Sequence, residues 1–150
     1  MPKLPIITYP NQILEKKSQK IKDVQDPAIQ ELILNMLDTL EESNGLGLAA
    51  PQVGKSLRLC IAKLDGQTHI LINPKIISKS WRKFYPEEGC LSFPGKFFIT
   101  KRHKKIKLTA IDRHGKKISL SADGLLSQAF QHEIDHLDGV LFTQRKSRKK

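Results

Sequence analysis

His132-Glu133-Ile134-Asp135-His136 places two imidazoles four residues apart, with a carboxylate beside the first. On a helix, positions i and i+4 lie about 40° apart and one turn up, so both rings can reach one metal ion from one side. Glu133 stands about 100° round from His132, where a carboxylate can act as general base toward a metal-activated water without being forced to bind the ion. The bland alternative is two solvent-facing histidines. Against it stands the company they keep: Leu125, Leu126, Ala129, Phe130, Ile134 and Leu137 make the segment apolar on more than one side. A helix of that kind is normally buried, and buried ionisable groups are costly unless they are paired or ligate metal.

A catalytic metal needs a third protein ligand and an open position. Among the other histidines, His69 falls in an expected strand and His114 in a turn, while Cys90 sits between Gly89 and Leu91 in Glu87-Glu88-Gly89-Cys90-Leu91-Ser92. A thiolate is a strong, soft ligand for a divalent transition metal. Cys90 is therefore favoured over His69, although a small buried hydrophobe is the ordinary use of such a residue and is the reading of Cys60 within Leu59-Cys60-Ile61.

The segment Gly45-Leu46-Gly47-Leu48-Ala49-Ala50-Pro51-Gln52 touches two nucleotide-binding patterns, one at Gly45, Gly47 and Ala50 and one ending at Gly54-Lys55-Ser56. Both require a strand before and a helix after. Here the order is reversed, and Pro51 lacks an N–H that a phosphate cradle would use. Glycines that admit a ligand backbone fit better, with Leu46 or Leu48 lining an apolar pocket and Gln52 offering an amide donor. The alternative is a tight turn packed on the core.

These groups must be positioned by a scaffold, and its elements are partly legible. Asp26-Pro27 opens a helix, with Ile29, Leu32, Ile33, Met36, Leu37 and Leu40 at helical spacing and a stop near Ser43-Asn44-Gly45. Leu57 to Leu64 reads as a strand, Asp65-Gly66 as a hairpin turn, and His69 to Ile72 as the returning strand. A further strand is expected over Ile76 to Tyr85, another over Ile106 to Asp112, a turn at Arg113-His114-Gly115, and a short strand over Ile118 to Leu120. The last helix is expected from about Ser121 to Leu137, capped by Ser121 or Asp123. Short strands around a buried helix predict an α+β domain, with mostly antiparallel sheets packed around the C-terminal helix that carries H-E-x-x-H.

One domain is the natural reading of 150 residues with 39% hydrophobic and 27% charged side chains. Two cysteines are too few for a disulfide framework, and Met1 to Pro10 carries neither an apolar nor an Arg/Ser-rich targeting pattern. No apolar run reaches membrane-spanning length, so the expectation is a cytoplasmic protein without a membrane. The net charge of +11 attracts polyanions or simply keeps the protein soluble. Aromatic residues are sparse, at 6%, and not interleaved with the basic ones along the chain, so no RNA-binding motif stands out and no stable nucleic-acid complex is required.

Taken in series, Gly45 to Gln52, Glu88-Gly89-Cys90-Leu91-Ser92 and Gln131-His132-Glu133-Ile134-Asp135-His136 resemble the peptide deformylase family. The resemblance runs from about Ile6 to Phe142 and includes Tyr9-Pro10, Ile72-Asn73-Pro74 and Asp123-Gly124-Leu125. It implies a catalytic domain over 1–142 and a basic tail over 143–150. It also implies a metal-dependent hydrolase that removes the N-formyl group from the starting methionine of a nascent polypeptide and releases formate. The resemblance implies Cys90, His132 and His136 as ligands of one divalent ion, usually Fe(II), with zinc, nickel or cobalt able to replace it. Glu133 matches the family's catalytic carboxylate, and Gln52 and the Leu91 N–H its oxyanion donors. Gly47 and Gly89 match positions whose backbones pair with the substrate. Leu125, Gln128, Ala129 and His132 share a helix face that can form one wall of a methionine pocket, with Leu46 forming another; Gln128 is unexpectedly polar for that place. Many relatives continue past this C-terminus into a further helix, and the basic tail Arg145-Lys146-Ser147-Arg148-Lys149-Lys150 is expected to supply electrostatic attraction to ribosomal RNA instead. The competing enzyme reading is an H-E-x-x-H metallopeptidase with another third ligand.

Overall fold

Asp26 begins the first helix as its residue types require: its carboxylate accepts from the Ala28 N–H at 2.9 Å, and Pro27 occupies the first turn. The helix, α1 (Pro27–Ser43), ends where Asn44 adopts a left-handed conformation, φ 56°. The structure is a computed structural model and describes residues 4–147. Nine strands follow α1: β1 (Gly47–Ala49), β2 (Leu59–Leu64), β3 (Gln67–Lys79), β4 (Lys83–Phe84), β5 (Glu87–Cys90), β6 (Phe93–Ile99), β7 (Arg102–His103), β8 (Lys105–Ile111) and β9 (Lys117–Asp123). The second helix, α2 (Leu125–Leu137), comes last, before a short 3-10 turn over Phe142–Arg145.

The main sheet has the order β1-β2-β3-β8-β9, and β4-β7 and β5-β6 form two small ribbons, all pairings being antiparallel. Strand β2 shows why the sheet lies in the middle. Leu59 and Ile61 join a core with Ile33, Met36 and Leu40 of α1, while Cys60 and Ala62 join another with Phe130, Ile134 and Leu137 of α2. Cys60 is thus the buried hydrophobe its neighbours in sequence implied. Full burial of a side chain such as Phe130 or Leu137 contributes about 1.5–3 kcal/mol, so α2 is clamped against the sheet by its apolar residues. Only Leu125, Leu126 and Asp135 of that helix escape burial. The α+β class and the buried C-terminal helix are as the sequence led one to expect.

Several elements differ from the expected ones. The strand expected over Ile76 to Tyr85 is two elements: Ile76 belongs to the long β3, which is kinked around Asn73 at φ 51° by register shifts, and β4 is a separate pair of residues. The last helix starts at Leu125 rather than near Ser121, because Ser121 to Asp123 pair along β8 and Asp123 binds Lys104 at 2.7 Å instead of capping. The glycine-rich segment is ordered as β1 and a 3-10 turn over Ala50–Val53.

Of the basic tail, residues 143–147 are described and 148–150 lie outside the described residues. Phe142 is buried, Arg145 pairs with Asp135 at 3.0 Å, and the Ser147 N–H donates to the Ile99 carbonyl at 2.8 Å.

Candidate metal centre and active site

Helix α2 brings His132 and His136 onto one face, with ring centroids 5.0 Å apart. Cys90 arrives from the end of β5, where the β5–β6 register breaks between Gly89 and Cys90 and frees the strand end from regular pairing. Its Sγ lies 3.3 Å from His136 Nε2, and one donor atom from each of Cys90, His132 and His136 falls within 4.8 Å of the others. His69, the competing third ligand, makes an edge contact with Phe130 at 5.3 Å between centroids and is not part of this group.

Behind the histidines lies a network that the sequence did not reveal. Glu88, 4% exposed, faces His132 Nδ1 and is bound on its other side by Arg102. Thr100 Oγ1 also donates to Glu88, at 2.8 Å, and Arg102 extends the chain to Asp135 at 2.6 Å. Burial alone would raise the Glu88 pKa, but the hydrogen bonds and charges of His132 and Arg102 outweigh it and hold the group well below the usual carboxylate range. An ionised Glu88 can only accept, so His132 donates through Nδ1 and turns Nε2 toward Cys90 and His136. Burial pushes His136 well below the ordinary imidazole value, which favours the neutral ring that a metal needs. Burial would lower His132 too, but the charge of Glu133 and the bonds to Cys90 and Glu88 push it well above.

Glu133 is 4% exposed, and its Oε1 is buried without a hydrogen-bond partner among the described residues. Such orphaned atoms require an explanation, and a reactant or ion completing the site supplies one. Burial pushes the Glu133 pKa up to about 7; the positive charges of His132 and Arg102 oppose the rise, and the negative charges of Glu88 and Asp135 add to it. A carboxyl poised there can both take and return a proton near neutral pH. Gly47 passes directly over this group: a Cβ at that position would stand 2.9 Å from Glu133 Cδ. Only glycine lets β1 approach so closely.

Gln52, 1% exposed, is oriented by a bond from the Ala49 N–H to its Oε1 at 2.9 Å. Its Nε2 points to Ser92 Oγ at 3.1 Å and to Cys90 Sγ at 3.8 Å. A cavity of about 440 Å³ opens over these groups. Every site residue expected from the sequence lines it except His136, which lies just behind. Leu46, at 48% exposure, reaches the cavity while Leu48 is wholly buried in the core, which resolves the choice between them. Leu91 and Ala129 line the walls, Gly89 lies under the ring of Phe97, and the exposed Leu46, Phe97 and Leu125 give the mouth an apolar rim. Gln128 is polar because its amide turns toward Glu88 Oε2 and the Glu87 carbonyl, both at 3.3 Å. Sequence reasoning passed over Glu88, Thr100, Arg102 and Phe97; a glutamate adjoining Gly89-Cys90 was the one visible signal.

The donor chemistry fits a divalent transition metal: a thiol and two imidazoles, one of them backed by a buried ionic network, with cavity space on the remaining side. A carboxylate poised beside such a centre is the equipment of a metal-dependent hydrolase. The family model for polypeptide deformylase matches residues 3–150. Peptide deformylase from Thermodesulfovibrio yellowstonii is 42% identical, covering 95% of this chain and 88% of the relative. Peptide deformylase 1 of Bacillus cereus is 44% identical over 97% of this chain and 93% of its own. Among solved structures, peptide deformylase from Thermotoga maritima superposes with a TM-score of 0.95 at 33% identity, covering 98% of this chain and 99% of its own. The Synechococcus elongatus peptide deformylase in complex with actinonin gives 0.94 at 35% identity, covering 99% and 81%. The chain belongs to the polypeptide deformylase family, metal-dependent hydrolases that remove the N-formyl group from new polypeptides. Membership decides against the metallopeptidase reading.

Proposed function

We propose that the cavity receives the N-formylmethionyl end of a nascent polypeptide and that Cys90, His132 and His136 hold one divalent ion there. Fe(II) is the ion proposed, with zinc, nickel and cobalt able to use the same donors. A metal in that position supplies Lewis acidity and brings the pKa of its water toward about 7. Glu133 takes the water's proton as the formyl carbon is attacked, and returns it to the amine as the C–N bond breaks, leaving formate and a free amino terminus. Gln52 Nε2 and the Leu91 N–H donate to the oxygen that gains negative charge; one such donor is typically worth about 3 kcal/mol. Leu46, Leu125, Gln128 and Ala129 enclose the methionine side chain, and the backbones of Gly47 and Gly89 pair with the peptide. Residues 1–142 carry this chemistry, and the basic tail over 143–150 adds electrostatic attraction to the ribosome in the cytoplasm.

The observation that carries the reading is the convergence of the Cys90 thiol and two histidines within 4.8 Å, beside Glu133, in a cavity with an apolar rim. Protein prepared anaerobically should release formate from a formyl-Met peptide in proportion to its bound iron, and a metal-chelating hydroxamate should stop it. Formate release unaffected by chelation, or none at full metal loading, would refute it. No helix among the described residues is long and apolar enough to cross a membrane.

A further inference from the structure

Trp81 is the sole tryptophan of the chain and is 99% exposed. An indole is large enough to bury 150–250 Å², so leaving one wholly in water forfeits a sizeable hydrophobic gain. Its backbone is nevertheless anchored. Ser80 N donates to the Lys105 carbonyl at 2.8 Å, Lys104 N to the Arg82 carbonyl at 3.0 Å, and His103 Nδ1 lies 3.0 Å from the Ser80 carbonyl. The turn between β3 and β4 thus presents the ring from a fixed base.

Beside this turn lies a polar cavity of about 390 Å³ that shares no residue with the catalytic cavity. Among its cations, Arg58 is committed to Asp138, and Arg102 and Arg145 to Asp135. Lys75, Lys79 and Lys101 are exposed and have no carboxylate partner among the described residues. Arg82 and Lys83 follow Trp81 in sequence and are exposed. An exposed aromatic ring two residues beyond Lys79 of a groove carrying uncommitted lysines has the parts by which single-stranded nucleic acid is held: bases stack and phosphates follow the groove. A lipid surface is the other partner that Trp and Lys attract, but a flat bilayer does not use a concave groove.

We infer that Trp81 and the groove containing Lys75, Lys79 and Lys101 form a docking surface for unpaired RNA. This rests on the proposed attraction to the ribosome and adds a folded surface to the tail's contribution. Because the two cavities involve different faces of α2, RNA and substrate can be bound together.

The lone indole makes the test direct. A single-stranded oligoadenylate should quench the tryptophan emission saturably. With labelled oligoadenylate followed by anisotropy, Trp81→Ala should weaken binding about tenfold and Trp81→Phe should restore part of it. Lys79→Gln with Lys101→Gln should reduce the salt dependence by about 1.4 in log–log slope. All variants should hydrolyse a short formyl-Met peptide as the unaltered protein does, so loss of RNA binding is distinguished from failure of the deformylase reading. Oligoadenylate binding that leaves Trp81 emission and the Trp81→Ala affinity unchanged would overturn the inference. So would an emission shift on phosphatidylglycerol vesicles with no response to oligoadenylate.

Discussion

The Glu88 carboxylate is shared between His132 Nδ1 and Arg102, so the ring proposed as a metal ligand is aimed by a buried ion pair on its far side. Replacing it tests whether that support matters. Glu88→Gln should weaken metal affinity about 10- to 100-fold, measured by chelator competition, because ligand orientation is lost. Glu88→Ala should also destabilise the fold by about 3–5 kcal/mol in denaturant unfolding, since Arg102 is left buried with only Asp135 beside it. Unchanged metal affinity in both variants would remove Glu88 from the positioning role.

Glu133 and the histidines should fail in different ways. Glu133→Ala should keep one metal per chain yet lose about 10²–10⁴ in kcat, the usual worth of a proton-transferring group. His132→Ala and His136→Ala should lose the metal. Metal analysis beside steady-state kinetics separates the cases, and substantial turnover in Glu133→Ala would contradict its assignment.

A functional carboxyl buried at such a pKa has a cost to stability. Glu133 ionises near 4.5 when unfolded and near 7 in the folded, metal-free chain. Between those values the folded state holds the extra proton. The penalty is therefore absent below 4.5, grows as pH rises, and is complete above 7. Metal-free Glu133→Gln should consequently be more stable than the metal-free original by about 3 kcal/mol at about pH 8, and equal to it at about pH 4. Thermal unfolding across pH reads this directly; a constant difference would refute it.

The two thiols should part company. Burial raises Cys60 well above an ordinary thiol, whereas Cys90 is partly exposed in the cavity. A thiol reagent should modify Cys90 first in metal-free protein and neither when metal is bound. The iron form should also lose activity faster in air than under anaerobic conditions. Equal half-lives would count against iron as the working metal.

What could be seen in the sequence was what local physics writes into it. Helix α1 carries its cap and apolar period within Asp26 to Ser43, and the two histidines of α2 are a helical spacing apart. Cys90 was reachable because a thiolate is a strong ligand for a transition metal and Gly89 beside it suits a loop or strand end, although a buried hydrophobe is the ordinary use of such a residue. Strands β5 and β6 were missed: Glu87–Cys90 does not alternate, and Pro94 and Gly95 interrupt Phe93–Ile99. Glu88 beside Glu87 looks like a solvated charge; its burial is created by Thr100, Arg102 and Gln128, none of them near it in sequence. The same holds for the groove beside the Trp81 turn, where Lys75 and Lys101 come together only through the pairing of β4 with β7 and β3 with β8.

The central claim is that one sulfur and two ring nitrogens bind the ion that makes the protein work. Titrating metal-free protein with Co(II), while recording the thiolate-to-cobalt absorption band and formate release from a formyl-Met peptide, tests it in one experiment. Band and activity should rise together, saturate at one ion per chain, and both vanish in Cys90→Ala. Formate release that saturates without the band, or that survives in Cys90→Ala, would contradict the account.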